Sequence, residues 1–127
     1  MGKRAITADP LKAVGPYSLA IEVDGTVYVS GQIHLDPATG KLVEGDIGAQ
    51  TRQCLENLKA ILSSAGLGFG DVVKTTVFLA DMADFPAMNA VYETYMVDPF
   101  PARSTIQVAA LPLGARVEIE LIAKMPV

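Results

Sequence analysis

Leu19-Ala20-Ile21-Glu22-Val23-Asp24-Gly25-Thr26-Val27-Tyr28-Val29-Ser30 is the stretch from which the rest of the chain is ordered. Leu19, Ile21 and Val23 alternate with Ala20 and Glu22; beyond Asp24-Gly25, Val27 and Val29 alternate with Tyr28 and Ser30. A period of two on both sides of Asp-Gly predicts a β-hairpin with a type I′ turn, because both central residues of that turn need positive φ. An antiparallel pair therefore opens the domain.

Working outward, a short strand is expected near Arg4 to Thr7. The segment from His34 to Gly45 contains Asp36-Pro37 and Thr39-Gly40 and reads as a surface loop. Ile47, Thr51, Cys54, Leu55, Leu58, Ile61, Leu62 and Ala65 then share one helical stripe, with Asp46 as N-cap and Gly66 as the stop. Gly66-Leu67-Gly68-Phe69-Gly70 leads into a strand from Asp71 to Leu79. Bulk on both of its faces, Val73, Thr75, Val77 and Leu79 against Val72, Lys74, Thr76 and Phe78, predicts a central strand covered on two sides. A second helix carries Asp84 near its cap, Pro86 in its first turn, and Phe85, Met88, Tyr92, Tyr95 and Met96 on its apolar side; Asp98-Pro99-Phe100-Pro101 ends it. Two last strands are expected at Arg103 to Ala109 and Arg116 to Lys124. That order predicts an α+β fold, with two helices on one face of a mixed sheet and the other face free to pack against neighbouring subunits.

The 127 residues read as one domain, 1–127, and half of them are hydrophobic, with a mean hydropathy of +0.34. Charged residues make up 19%, below the roughly 25% usual for soluble domains, so a homo-oligomer is expected to cover part of the apolar surface. The net charge is −4, the pI about 4.8, and the ten Lys and Arg residues are scattered, which argues against a nucleic acid partner. Cys54 is the only cysteine, so no internal disulfide forms, and cytoplasm is the default compartment. Met1-Gly2-Lys3-Arg4-Ala5-Ile6 runs straight into Asp9 and Pro10 and does not read as a signal peptide. Ile6 stands where myristoylation wants Ser or Thr, and no apolar run is long enough to span a bilayer. No membrane partner is expected.

Arg103 is the only cationic side chain between Lys74 and Arg116, inside the apolar context of Phe100-Pro101-Ala102-Arg103-Ser104-Thr105. Its guanidinium stays charged and fits a carboxylate in a bidentate way, so its partner is either an acidic side chain or an anionic ligand. Pro99 and Pro101 stiffen the approach to it. Strand periodicity places Arg103, Thr105 and Gln107 on one face, and Arg116, Glu118 and Glu120 on one face of the last strand; if those faces meet, Arg103 and Glu118 share a pocket. The glycines at 66, 68 and 70 leave a helix and enter a strand, opposite to a phosphate loop, and read as a C-cap and turn. Cys54 on its apolar stripe reads as a small buried hydrophobe. His34, the only histidine, has no Ser or Cys in a nucleophile context to serve, and one His with one Cys makes a metal site unexpected. Gly15-Pro16-Tyr17-Ser18 and Ser30-Gly31-Gln32 lie at the outer ends of the hairpin strands; the readings there are ligand contact or plain turn chemistry.

Six segments, in order and together, resemble the Rid family, also called the YjgF family. They are Ala13-Val14-Gly15-Pro16-Tyr17-Ser18, Val29-Ser30-Gly31-Gln32-Ile33, Val73-Lys74-Thr75-Thr76-Val77-Phe78, Asn89-Ala90-Val91-Tyr92-Glu93, Phe100-Pro101-Ala102-Arg103-Ser104 and Val117-Glu118-Ile119-Glu120. The resemblance covers essentially the whole chain. It implies a chorismate-mutase-like fold assembled as a homotrimer, with sites in the clefts between subunits. It implies hydrolysis of 2-aminoacrylate, 2-aminocrotonate and related 2-imino acids to 2-oxo acids and ammonia, without metal or cofactor. Arg103 would then hold the substrate carboxylate, assisted by the backbone of Gly31 and Thr105, while Tyr17, Ser30, Asn89 and Glu118 line the cleft. Glu118 would orient or deprotonate the water, with Tyr17 nearby. Thr105 stands where many members carry Cys, and His34 where many have Pro; a solvated loop histidine is the expectation there. The competing readings are a non-catalytic trimer that binds small carboxylates as a regulator, and a ribonuclease or translation inhibitor, which the acidic pI disfavours.

Overall fold

The computed structural model describes residues 2–126; Met1 and Val127, the two ends of the expected single domain, lie outside the described residues. Eight strands and two helices follow one another as β1 (Arg4–Ile6), β2 (Ala20–Val23), β3 (Thr26–Ile33), β4 (Leu35–Asp36), β5 (Lys41–Leu42), α1 (Ile47–Ser64), β6 (Val72–Leu79), α2 (Phe85–Tyr95), β7 (Ala102–Gln107) and β8 (Val117–Lys124). Six of the strands form one sheet in the order β1-β2-β3-β8-β6-β7. All pairings are antiparallel except β6 with β7, which α2 connects as a parallel crossover. The sheet is mixed and the class is α+β.

Local chemistry sets each boundary. Asp24 at φ 51° and Gly25 at φ 79° make the expected I′ turn, so Val23 pairs with Thr26. The Asp46 carboxylate accepts the Ala49 N–H at 2.8 Å and caps α1. At its other end Gly66 takes φ 76°, its N–H reaches the Ser63 carbonyl, and the Leu67 N–H reaches that of Leu62: a Schellman cap. The glycine run after α1 is thus a helix stop.

The core lies between the helices and one sheet face. Leu55, Leu58, Ile61 and Leu62 of α1 and Met88 of α2 are fully buried with Val27, Val77, Leu79, Val117 and Ile119 of the sheet. Each such aliphatic side chain contributes about 1.5–3 kcal/mol by leaving water. The chain itself covers only this face. Ile21, Tyr28, Phe78, Ile106 and Ile122 are partly or largely open on the other, so the expectation of a β6 covered on two sides fails within one chain.

Three further expectations are corrected. A bulge between Val72 and Lys74 buries Val72 and turns Val73 out to 51% exposure, where strict alternation would have placed Val73 with Thr75. β7 ends at Gln107, short of Ala109, and β8 starts at Val117. The segment from His34 to Gly45 is a small two-stranded ribbon, β4 with β5, rather than a plain loop.

Candidate functional site

The register of the sheet decides which predicted site residues share a surface. Arg103 pairs with Thr75 and Thr105 with Val77, so both project toward α2, the helix side. Glu118 pairs with Phe78 and Glu120 with Thr76, which places both carboxylates on the open side. Moreover β6 lies between β7 and β8. The expected meeting of the Arg103 and Glu118 faces therefore does not occur within one chain. One residue of parity on the shared neighbour β6 separates them.

On the helix side Arg103 borders a cavity of about 380 Å³ lined by Asn89, Tyr92, Glu93, Met96, Phe100 and Pro101. Its Nη1 donates to Asn89 Oδ1 at 2.6 Å, and the guanidinium carbon lies 4.7 Å from the Tyr92 ring centroid and 5.4 Å from that of Phe85. The Tyr92 ring is in turn fixed by a 2.6 Å hydrogen bond between its hydroxyl and Thr75 Oγ1, both buried. Among the described residues the ion pairs are Arg4 with Glu22 and Arg116 with Asp84; Arg103 is in neither. Its brace is neutral and aromatic, which orients the fork and leaves its charge unpaired by any carboxylate. Thr105 Oγ1, two residues on, is buried without a hydrogen-bond partner among the described residues.

On the open side Tyr17, Ser30, Gly31 and Glu118 line a second cavity of about 500 Å³ with Lys12, Val14 and Leu113 among their neighbours. A β-bulge builds it: Val29 pairs with Leu121 and Gln32 with Ile119, so Ser30 and Gly31 together face one residue of β8. Ser30 is held by its hydroxyl, which donates to the Ser18 carbonyl at 2.6 Å, and by its N–H to Leu19. The Tyr17 hydroxyl accepts the Val14 N–H at 3.4 Å. A Cβ on Gly31 would stand 2.8 Å from the Glu118 carboxyl carbon, so glycine here leaves room for the carboxylate and any larger residue requires the Glu118 side chain to move. Burial, and after it the neighbouring Glu120 charge, pushes the Glu118 carboxyl above its usual range. Among the described residues no donor or cation engages it.

The remaining sequence candidates separate cleanly. Cys54 is fully buried, its Sγ 3.6 Å from the Val117 carbonyl and its ionisation pushed far up by burial. His34 is not a solvated loop residue: it is 2% exposed, with Nδ1 3.0 Å from the Val43 carbonyl, while Nε2 accepts the Arg116 N–H at 3.2 Å. It ties the β4–β5 ribbon to the start of β8. Sequence reading missed this, and also missed Phe85 and Tyr92 as the Arg103 brace, because aromatic residues on an apolar helix stripe look like core. Among the described residues no group of three or more His, Cys, Asp and Glu could hold a metal ion.

The family model described as "Endoribonuclease L-PSP" matches residues 7–125. The chain belongs to this family. Among curated relatives it is 56% identical to the mouse "2-iminobutanoate/2-iminopropanoate deaminase", over 87% of this chain and 82% of that protein. Among solved structures it resembles RidA from an Antarctic Psychrobacter, with a TM-score of 0.90 and 47% identity, covering 96% of this chain and 99% of the other. It also resembles Escherichia coli TdcF with bound serine, with a TM-score of 0.89 and 40% identity over 97% and 99% of the two chains. These family members share the α+β arrangement of mixed sheet and two helices found here. No helix is long and apolar enough to cross a membrane among the described residues.

Proposed function

We propose that this protein is a cytoplasmic deaminase that hydrolyses 2-imino acids, and the 2-aminoacrylate and 2-aminocrotonate enamines that tautomerise to them, to 2-oxo acids and ammonia. The observation that carries the reading is the pairing of chemistries on the two faces. One face holds a braced guanidinium that no carboxylate among the described residues pairs with, and the other a carboxylate of raised pKa beside a glycine bulge. Names of relatives support it, and serine bound to the E. coli relative is an amino acid with the carboxylate that Arg103 is suited to grip.

Both groups are needed at one substrate, and the chain keeps them on opposite faces. We place the site between copies in a homotrimer, with Arg103, Asn89 and Thr105 from one subunit facing Tyr17, Ser30, Gly31 and Glu118 from the next. The open, partly apolar sheet face supports association of copies. Arg103 fixes the substrate carboxylate, which leaves the imine carbon toward Glu118. Glu118 takes a proton from water as its oxygen attacks that carbon and passes it to the imine nitrogen, giving a carbinolamine; it then takes the hydroxyl proton and passes it to the same nitrogen as the carbonyl forms and the C–N bond breaks. The balance is one imine and one water in, one 2-oxo acid and one ammonia out. A carboxylate held above its usual range is a better base for the first step, and its conjugate acid is available for the second.

The test generates imino acid in situ with an amino-acid oxidase or threonine dehydratase and follows its capture by semicarbazide. Wild type should divert imine to 2-oxo acid, and Glu118→Gln should lose about 100-fold or more of that rate. Binding of 2-oxo acids without acceleration would favour the regulatory carboxylate binder. Salt-sensitive RNA cleavage would favour the activity in the family description, against a net charge of −4.

A further inference from the structure

The cavity beside Glu118 has an unusual mouth. Val14 and Leu113 both line it, yet they are 84% and 73% exposed, among the most exposed large apolar side chains described. Neither helps hold the fold together by burial. Leu113 also occupies φ 58°, ψ 18°, the left-handed region that glycine and asparagine accept and leucine resists. It is followed by Gly114, also at positive φ, and the pair is clamped by the Gly114 N–H on Leu111 and the Ala115 N–H on Pro112. Ala115, 2% exposed, anchors that turn directly to β8, the strand that carries Glu118. An exposed leucine in a strained, rigidly clamped turn has no folding role to account for it, and such strain points to a function.

Behind this mouth the wall continues as Leu35 and Ile33, so the lining is mostly apolar apart from the polar cluster around Ser30 and Glu118. A polar end that carries the base and an apolar end that reaches the surface match a molecule with a reacting head and an aliphatic tail. We propose that Leu113 and Val14 form the subsite for the substrate's side chain and make this protein selective for 2-imino acids with aliphatic side chains of three or four carbons over those with one. The inference rests on the deaminase reading and says what that site prefers. Each methylene that Leu113 and Val14 take from water contributes roughly 3-fold to kcat/KM, so four carbons gain about one to two orders of magnitude over one.

The experiment measures kcat/KM for the imino acids that an amino-acid oxidase forms from alanine, 2-aminobutyrate, norvaline and leucine. Wild type, Leu113→Gly and Val14→Ala are compared. Leu113→Gly removes the side chain and the backbone strain together, so it should fold at least as stably as wild type. The expected result is a preference that rises with chain length and is flattened about 5- to 10-fold by Leu113→Gly, through KM for the long substrates, with the alanine-derived imine changed least. Equal losses on all four substrates, a change in oligomeric mass with the same uniform loss, or an unchanged preference in both variants would overturn the subsite while leaving the deaminase. A wild type inactive on all four removes the deaminase reading and the subsite with it.

Discussion

The two faces of the sheet hold two cavities built on opposite principles. Around Arg103 every contact serves rigidity: an amide from α2 fixes the fork, two aromatic rings lie within cation–π distance of its charge, and a buried threonine fixes one of the rings. Around Glu118 the backbone is shaped to leave the side chain alone: a bulge, a glycine without Cβ, and no donor on the carboxylate among the described residues. A binding group gains from being held in one geometry, because its ordering entropy is then lost on folding instead of on association. An acid–base group gains from being unpaired, because a salt bridge would pull its pKa away from the working range.

The contrast is broken most directly at Arg103. Arg103→Ala should lower kcat/KM by roughly 10²- to 10³-fold, the cost of leaving a substrate carboxylate without its charged partner. Arg103→Lys should recover little, since a point charge neither grips a carboxylate with two parallel bonds nor stacks on Tyr92 and Phe85 as a plane. Arg103 is solvent-exposed, so thermal unfolding of both variants should stay close to wild type. A large fall in Tm would show that the guanidinium is a structural group.

On the other face the decisive change is at Gly31. Gly31→Ala pushes a methyl group against the Glu118 carboxyl and should cost on the order of 10²-fold in rate by displacing the base. It should also lower stability, and the double variant Gly31→Ala/Glu118→Ala should regain that stability without regaining activity. If the single variant were as active as wild type, the carboxylate would not need its present position.

Much of this was legible in the sequence, and the failures share one cause. The hairpin, both helix boundaries of α1 and the α+β order follow from local signals: Asp24-Gly25, the Asp46 cap, the Gly66 stop. Arg103 and Glu118 stand out by isolation and by periodicity. What periodicity cannot supply is which strand lies next to which. β6 is inserted between β7 and β8, and the two registers set Arg103 beside Thr75 but Glu118 beside Phe78, so two faces that look alike along the chain end on opposite sides. The same blindness to partners hid His34, whose two hydrogen bonds come from residues nine and eighty-two positions away.

His34 gives a smaller, pH-dependent test, and it bears on the Glu118 side because its neighbour Leu35 lines that cavity. Burial lowers the His34 pKa, offset in part by the Val43 carbonyl, and the Arg116 charge lowers it further. The unfolded chain takes up the proton near 6.5, whereas the fold resists it to lower pH. Between the two values the unfolded state binds more protons, so stability falls as pH drops below about 6.5 and levels off once the folded imidazole is also charged. Protonated Nε2 can no longer accept the Arg116 N–H. The raised Glu118 carboxyl acts in the opposite sense, so the His34 contribution is read as a difference: in urea midpoints between pH 5 and 7.5, wild type should lose more stability on acidification than His34→Phe, which itself costs about 1–3 kcal/mol at neutral pH for the amide left unpaired. The same pH dependence in wild type and in His34→Phe would contradict a buried neutral imidazole.

The smallest effect is expected at the hydroxyl of Tyr92, and it separates stacking from bracing on the Arg103 side. Tyr92→Phe keeps a ring under the guanidinium but deletes the bond to Thr75, leaving a buried hydroxyl without its partner. The stability loss should be about 1 kcal/mol, and Thr75→Val in the same background should return part of it, because two apolar partners of similar shape leave nothing unsatisfied. If the ring needs only to be present, KM for the imino acid stays within about 2-fold in both variants. If the hydroxyl bond sets the ring's angle and through it the fork, KM rises in Tyr92→Phe and stays raised in the double variant although stability has recovered. The rigidity of the Arg103 face would then extend one layer deeper than the guanidinium's own contacts, into the β6 strand that keeps it apart from Glu118.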